Sequence, residues 1–151
     1  MAVDTSGGPF NGNIYIVWAH DPLGAVDNSD IFFSRSVKGG VTWSPEVQID
    51  VAAGAPGGAT DQFEPFVEVN GAGVVSIAWY DRRNDPANNF NLDVFKTFST
   101  DGGATFLPII RVTDTSFPVP PINPNFDPSI LACYMGEYIA IAADASVVSN
   151  K

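Results

Sequence analysis

The chain has 151 residues, 45% of them hydrophobic and 16% charged, a makeup that fits one globular domain with a sizeable core. Its net charge of −10 repels phosphate backbones and anionic lipid surfaces, which excludes nucleic acid and membrane as partners. Cys133 is the only cysteine, so an intrachain disulfide and a cysteine-built metal site are excluded as well.

Met1 to Gly8 shows neither a charged n-region nor an apolar h-region, and no signal peptide is read there. No apolar run reaches the ~18 residues of a membrane span. Ala2 to Asp4 reads as a short strand. Asn13-Ile14-Tyr15-Ile16-Val17-Trp18 is an alternating run ending in Trp, and Val74-Val75-Ser76-Ile77-Ala78-Trp79 repeats it 61 residues later. Asp30 to Ser36 is a second strand, matched by Asp93 to Ser99 at an offset of 63. Gly-rich turns follow at the same offset, and after each comes a proline and a short strand, Pro45 to Ile49 and Pro108 to Val112.

Each unit therefore reads as strand a, strand b, a loop, strand c, a tight turn and strand d. In the second unit these are Pro65 to Val69, Val74 to Tyr80, Leu92 to Ser99 and Ile109 to Thr113. The prolines 118, 120, 121, 124 and 128 predict a stiff, extended connection between units. A third strand a is read at Glu137 to Ala143, with strand b beginning at Ser146 to Ser149. No segment carries capped helical periodicity. The fold class is all-β: four-stranded antiparallel meanders, the signature of β-propeller blades. A two-sheet sandwich is the alternative, but it predicts no turn motif repeated at one offset. The boundaries are about 2–50 for blade 1, about 61–114 for blade 2 and about 134–151 for the start of blade 3.

The turn of the second unit, Ser99-x-Asp101-x-Gly103-x-Thr105-Phe106, has a physical design. Gly permits positive φ between strands c and d, the Asp carboxylate accepts hydrogen bonds from the turn's own amides, and the final aromatic folds back to pack into the blade. The first unit carries Ser36, Gly40, Thr42 and Trp43 at the matching places, with Lys38 where Asp is expected. These turns resemble the Asp-box, or BNR repeat, of sialidase-like propellers, and the strand spacing extends the resemblance over nearly the whole chain. The resemblance implies that the Asp-boxes are structural and lie on the face away from any substrate. It also implies an extracellular or periplasmic setting.

In a meander the loops alternate between two faces. The Asp-boxes mark one face. The b–c and d–a loops on the other carry His20, Asp21, Asp27, Asp30, Tyr80, Asp81, Arg82, Arg83, Asn84 and Asp85, together with Asp61, Gln62, Glu64, Asp127, Tyr134 and Glu137. Sialidases, by the resemblance, use three arginines on the substrate carboxylate, a Tyr–Glu nucleophile pair and an Asp acid. This chain has four arginines, Arg35, Arg82, Arg83 and Arg111, and lacks the Phe/Tyr-Arg-Ile-Pro motif, so no arginine triad can be assembled from it alone. Arg82 and Arg83 read either as a clamp for a carboxylate or sulfate or as loop-stapling partners of Asp81. Tyr134 and Glu137 read as a nucleophile pair or as packing at a strand entry, and His20 as an acid–base group or a solvated loop residue. The ligand-binding candidates are Arg82, Arg83, Asp81, Tyr80, Glu64, Asp61, Tyr134, Glu137 and His20.

No cofactor and no metal site is expected. The oxygen-rich stretches Asp27 to Asp30 and Asn84 to Asp93 suit Ca²⁺ in ligand type, but neither has the EF-hand pattern, and turn chemistry explains them better. At ~63 residues per unit the chain makes about two and a half blades, where propellers close with 4–8. The expectation is an incomplete propeller, completed by further blades or by a homo-oligomer. The functional expectation is a non-catalytic module that binds a glycan or a protein through the b–c and d–a loop face. The alternative is part of an exo-sialidase-type glycoside hydrolase, active only with further blades.

Overall fold

The computed structural model describes residues 1–21, 28–51, 60–119 and 139–142. Among them eight strands form two antiparallel sheets, each a four-stranded meander in chain order. The first sheet is β1 (Ala2–Val3), β2 (Ile14–His20), β3 (Asp30–Ser36) and β4 (Val47–Gln48), and the second is β5 (Gln62–Val69), β6 (Val75–Asp81), β7 (Asp93–Ser99) and β8 (Ile110–Arg111). These are the two all-β blades expected from the repeat. Register is equivalent in both: His20 pairs with Asp30 and Ile14 with Ser36, as Asp81 pairs with Asp93 and Val75 with Ser99.

Alternation of side chains sets the packing. Blade 1 contributes Tyr15, Ile31, Phe33 and Ile49 to the shared core, and blade 2 contributes Val67, Val75, Ile77, Trp79 and Phe95. Under the sequence repeat, Val75, Ile77, Trp79 and Phe95 correspond to Ile14, Ile16, Trp18 and Phe32, on the opposite face of blade 1 from the one it buries against blade 2. The blades are thus packed head to tail, front of one on back of the next. Each large side chain taken fully from water contributes roughly 1.5–3 kcal/mol, and Trp79, Tyr15, Phe33, Ile31 and Ile77 are all below 2% exposed. Polar links stitch the same junction. Gln62 N–H donates to the Ser29 carbonyl at 2.8 Å, the Ser29 hydroxyl donates to the Gln62 carbonyl at 2.5 Å, and Arg35 Nη1 donates to the Gly102 carbonyl at 2.6 Å.

The second Asp-box is fully formed. Asp101 Oδ1 accepts from Ser99 Oγ and from the amides of Ala104 and Thr105 at 2.8–2.9 Å, and Oδ2 accepts from Thr105 Oγ1 at 2.6 Å. Burial works to raise the Asp101 pKa, but the bonds from Thr105, Ser99 and Ala104 outweigh it and hold the group at about 2. In the first turn Ser36 Oγ still receives the Gly40 amide at 2.9 Å, while Lys38 takes part through its backbone alone, its amide donating to Ser36 Oγ at 3.4 Å and its carbonyl accepting Val41 N–H at 3.2 Å.

The final aromatics of the two turns part company. Phe106 packs edge-on against Phe33 of blade 1 at 4.9 Å between ring centroids, so it seats in the neighbouring blade rather than its own. Trp43, its counterpart, is 41% exposed and turns its Nε1–H back onto the Gly40 carbonyl at 3.1 Å. The turn aromatic needs a preceding blade to be buried, and blade 1 has none among the described residues.

Strand a of blade 2 begins at Gln62, three residues before the expected Pro65, because an irregularity between Phe63 and Phe66 lets pairing continue past the proline. Of the third strand a read at 137–143, residues 139–142 are described and lie in no strand. The rest of the expected third blade lies outside the described residues.

Candidate functional site

The ends of β2, β4, β6 and the start of β5 gather the polar residues of the b–c and d–a loops on one side of the blades. The centre of this group is Asp81, the last residue of β6, which is fully buried. Its Oδ2 accepts from Trp79 Nε1 and from Arg83 Nε, both at 2.8 Å, and from Arg83 Nη2, while Oδ1 accepts the Arg83 amide at 2.8 Å. Trp79 and Asp81 share one face of β6 because they are two residues apart in an extended strand. Arg83 is otherwise occupied too: Nη2 donates to the Asp50 carbonyl of blade 1 at 2.7 Å, and the guanidinium lies 4.5 Å above the Phe95 ring. A buried, multiply bonded carboxylate–guanidinium pair of this kind fixes a loop and joins two blades.

Arg82 has different surroundings. Its Nη1 donates to Asp61 Oδ2 at 3.2 Å, its guanidinium stands 5.1 Å over the Phe63 ring, and its side chain is 21% exposed. Phe63 and Tyr80 pair across β5 and β6 with ring centroids 5.9 Å apart, and Phe117 meets Tyr80 edge-on at 6.3 Å. Glu64 follows Phe63 in the irregular stretch of β5 with φ of 50°, a left-handed backbone that favours glycine. Burial raises the Tyr80 pKa, and the Glu64 charge raises it further, which places that carboxylate near the phenol. Asn89, also at φ 50°, accepts the Asp61 amide at 3.0 Å and so holds the Asp61 loop against the b–c loop of blade 2. Strained backbone at two residues beside one charged pair is a pattern common at binding sites.

Of the nine sequence candidates, Arg82, Asp61, Tyr80 and Glu64 are brought together around Phe63. Asp81 and Arg83 lie at the centre of the blade junction. His20 sits on blade 1, edge-on to Phe32 at 5.6 Å. Tyr134 and Glu137 lie outside the described residues. Phe63 was not singled out from the sequence. Its signal is weak, an aromatic two residues before a proline at a strand entry. Asp50 carries no sequence signal of its own, standing just beyond the short strand read at Pro45 to Ile49.

The oxygen-rich loop Asn84 to Asp93 uses its carboxylates internally. Asp85 accepts from Asn88 Nδ2 and from the Asn91 amide and side chain, and the Asn91 amide leads in lowering its pKa. Asp93 accepts from Arg111, Thr113, Ser116 and Asn84 at 2.6–2.9 Å. Among the described residues, no group of three His, Cys, Asp or Glu side chains could hold a metal ion. No helix there is long and apolar enough to cross a membrane.

No protein-family model matches the chain, and no curated protein does. Fourteen solved chains match its structure. One is titled Hadza microbial sialidase Hz136, with a TM-score of 0.53 and 20% sequence identity over 73% of this chain. The match takes in 24% of that sialidase, so this chain spans about a quarter of its length. The likeness shows the fold: the two sheets are blades of a sialidase-type β-propeller, and together they make an incomplete one.

Proposed function

We propose that the loop face of blade 2 is a non-catalytic glycan-binding surface built on Arg82, Asp61, Phe63, Tyr80 and Glu64. One arrangement carries this reading: a guanidinium held over an aromatic ring by a carboxylate, with a second aromatic ring alongside. Aromatic faces take the C–H face of a sugar ring, and planar guanidinium and carboxylate groups take its hydroxyl or acid oxygens. Among the described hydrogen bonds the Arg82 guanidinium donates only through Nη1, and with Nε buried it is Nη2 that remains for an oxygen-rich ligand. The non-catalytic half of the reading rests on the other arginines, each engaged inside the protein: Arg35 on Gly102, Arg83 on Asp81 and Arg111 on Asp93.

Binding to a glycan array, followed by titration of the strongest hit, tests the reading. Arg82→Ala and Phe63→Ala are each expected to weaken that hit at least about tenfold, the loss of one charge-assisted contact or one stacked ring. An array on which nothing binds removes the reading.

The similarity to a sialidase favours a second one, in which the chain supplies two blades of a glycoside hydrolase and further blades complete the site. The exposed Trp43, whose counterpart Phe106 is seated in a neighbouring blade, supports a further blade on that side. Turnover of a fluorogenic sialoside by this chain, or by this chain joined to further blades, would replace the first reading with the second.

A further inference from the structure

Asp30 and Asp50 form a buried acid pair that neither the glycan face nor the blade core accounts for. Asp30 opens β3 and Asp50 follows β4, and the two residues are 4% and 3% exposed. The Ile31 amide, next to Asp30 in the chain, is bonded to the Asp50 carboxylate, and Ile49 N–H donates to the Ile31 carbonyl at 2.9 Å, so the two acids are held side by side. Asp50 Oδ1 accepts the Ile31 amide at 3.2 Å, and the Gln48 amide is 3.5 Å from Oδ2. Among the described residues no N–H or O–H group donates to Asp30 Oδ1. Among the described residues the charged and titratable neighbours are Asp21, His20 and Arg83. Asp21, beyond the end of β2, adds negative charge on Asp30. His20 stands opposite Asp30 in register, and Arg83, from the b–c loop of blade 2, acts on Asp50.

Blade 2 shows what this place in the fold otherwise contains. Asp93 stands where Asp30 does, but it faces Arg111 and Thr113, whose counterparts at an offset of 63 are Gln48 and Asp50. Blade 1 has lost a cation and gained a carboxylate beside a buried acid. Two buried carboxylates held side by side cannot both ionise cheaply, and a single shared proton supplies the donor that Asp30 Oδ1 lacks.

From this geometry we infer that Asp30 and Asp50 share one proton and act as a pH-dependent latch on the junction between the blades. The latch reaches the junction because the Asp50 carbonyl receives Arg83, the residue that also holds Asp81. With the proton in place, the exit of β4 is tied to the head of β3. Without it, two adjacent negative charges push the Asp50 segment away from both. Burial, and then the Asp50 charge, raise the Asp30 pKa from 3.8 to about 6. A raised acid pKa favours the folded state fully below the unfolded value, and that contribution is lost as pH climbs through about 6.

Thermal unfolding of the chain between pH 5 and pH 8 tests the latch. The wild type is expected to melt lower at pH 8 by on the order of 4 °C, the reading of a roughly tenfold change in the folded-to-unfolded ratio. Asp50→Asn keeps a hydrogen-bonding partner without the second charge and is expected to lose the part of that dependence owed to that charge, burial of Asp30 keeping the rest. A pH dependence unchanged in Asp50→Asn overturns the proposal. Carboxyl ¹³C chemical shifts of the wild-type protein need no variant: one buried aspartate pair titrating near pH 6 supports the latch, and no carboxyl titrating above pH 5 overturns it. Calcium ions are the remaining discriminator. Stabilisation of the wild type at pH 8 by calcium, absent in Asp30→Asn, would overturn proton sharing in favour of a cation site.

Discussion

Blade 1 and blade 2 have the same strand order and register, and they differ most where charge is buried. At the head of the third strand, Asp93 of blade 2 collects Arg111, Thr113, Ser116 and Asn84. Burial alone would raise its pKa, and the bonds led by Thr113 and Asn84 lower it instead. Asp30 of blade 1 is raised by burial and then by the Asp50 charge. The turns differ in the opposite sense of charge: Asp101 closes the second Asp-box, and Lys38 leaves the first without its carboxylate. A backbone repeat can therefore stay intact while its electrostatics invert, because the meander is held by ladder bonds and apolar packing that do not depend on those side chains.

The largest break in the comparison is expected at Asp93. Its side chain is 1% exposed, and Asp93→Ala would leave Arg111 and Asn84 without their partner. A loss of about 3 kcal/mol in urea unfolding is expected, from several hydrogen bonds to one buried carboxylate lost together, while the partly exposed Arg111 turns to water. Asp30→Asn, at the matching place, is expected to leave stability at pH 8 unchanged or higher. A loss at Asp30 as large as at Asp93 would show that the two sites are not opposites.

Next in size is the turn glycine. Gly103 has φ of 77°, and a Cβ there would come within 2.6 Å of the Phe33 ring of blade 1. Gly40 has φ of 86°, but a Cβ there meets only Ile14 Cδ1, at 3.7 Å. Gly103→Ala is expected to cost about 3 kcal/mol, from left-handed backbone strain and a displaced ring, and Gly40→Ala about 1 kcal/mol from backbone strain alone. Equal losses would mean that the Gly103 turn is not wedged against blade 1.

The smallest effect sharpens the contrast between the turns. Lys38→Asp is expected to complete the first Asp-box and stabilise the chain by about 0.5–1 kcal/mol, the worth of one or two exposed turn hydrogen bonds. Acid unfolding gives the matching readout. Asp101 has a depressed pKa, so its contribution is present above the ordinary aspartate value of 3.8 and fades as pH falls toward about 2. Asp101→Ala should flatten that part of the pH curve, and Lys38→Asp should steepen it.

Much of the fold could be read in the residues. The alternating runs ending in Trp18 and Trp79 and the two glycine turns located six of the eight strands to within about two residues, because side-chain period and turn chemistry are local. Strand a of blade 2 was placed late. Pro65 reads as a strand start, and only pairing to β6 carries the ladder on to Gln62. At the site, the b–c and d–a loops were marked as one face, and Arg82, Asp61, Tyr80 and Glu64 do meet there. The separate fates of the adjacent arginines were not legible. Arg83 is drawn onto buried Asp81 and the Asp50 carbonyl, which lie within its reach, while Arg82 takes Phe63 and Asp61, and both side chains stay partly exposed.

By itself the sequence determined the repeated meander and its Asp-box turns, since both follow from alternation and from residues a few positions apart. Only the tertiary structure decided which charges would meet. Gln48 and Asp50, or Arg111 and Thr113, reach the head of the third strand through a partner strand some twenty residues further along the chain. Whether a buried carboxylate there faces a cation or a second acid is set by that pairing and by the loss of water around it, neither of which is a property of either segment alone.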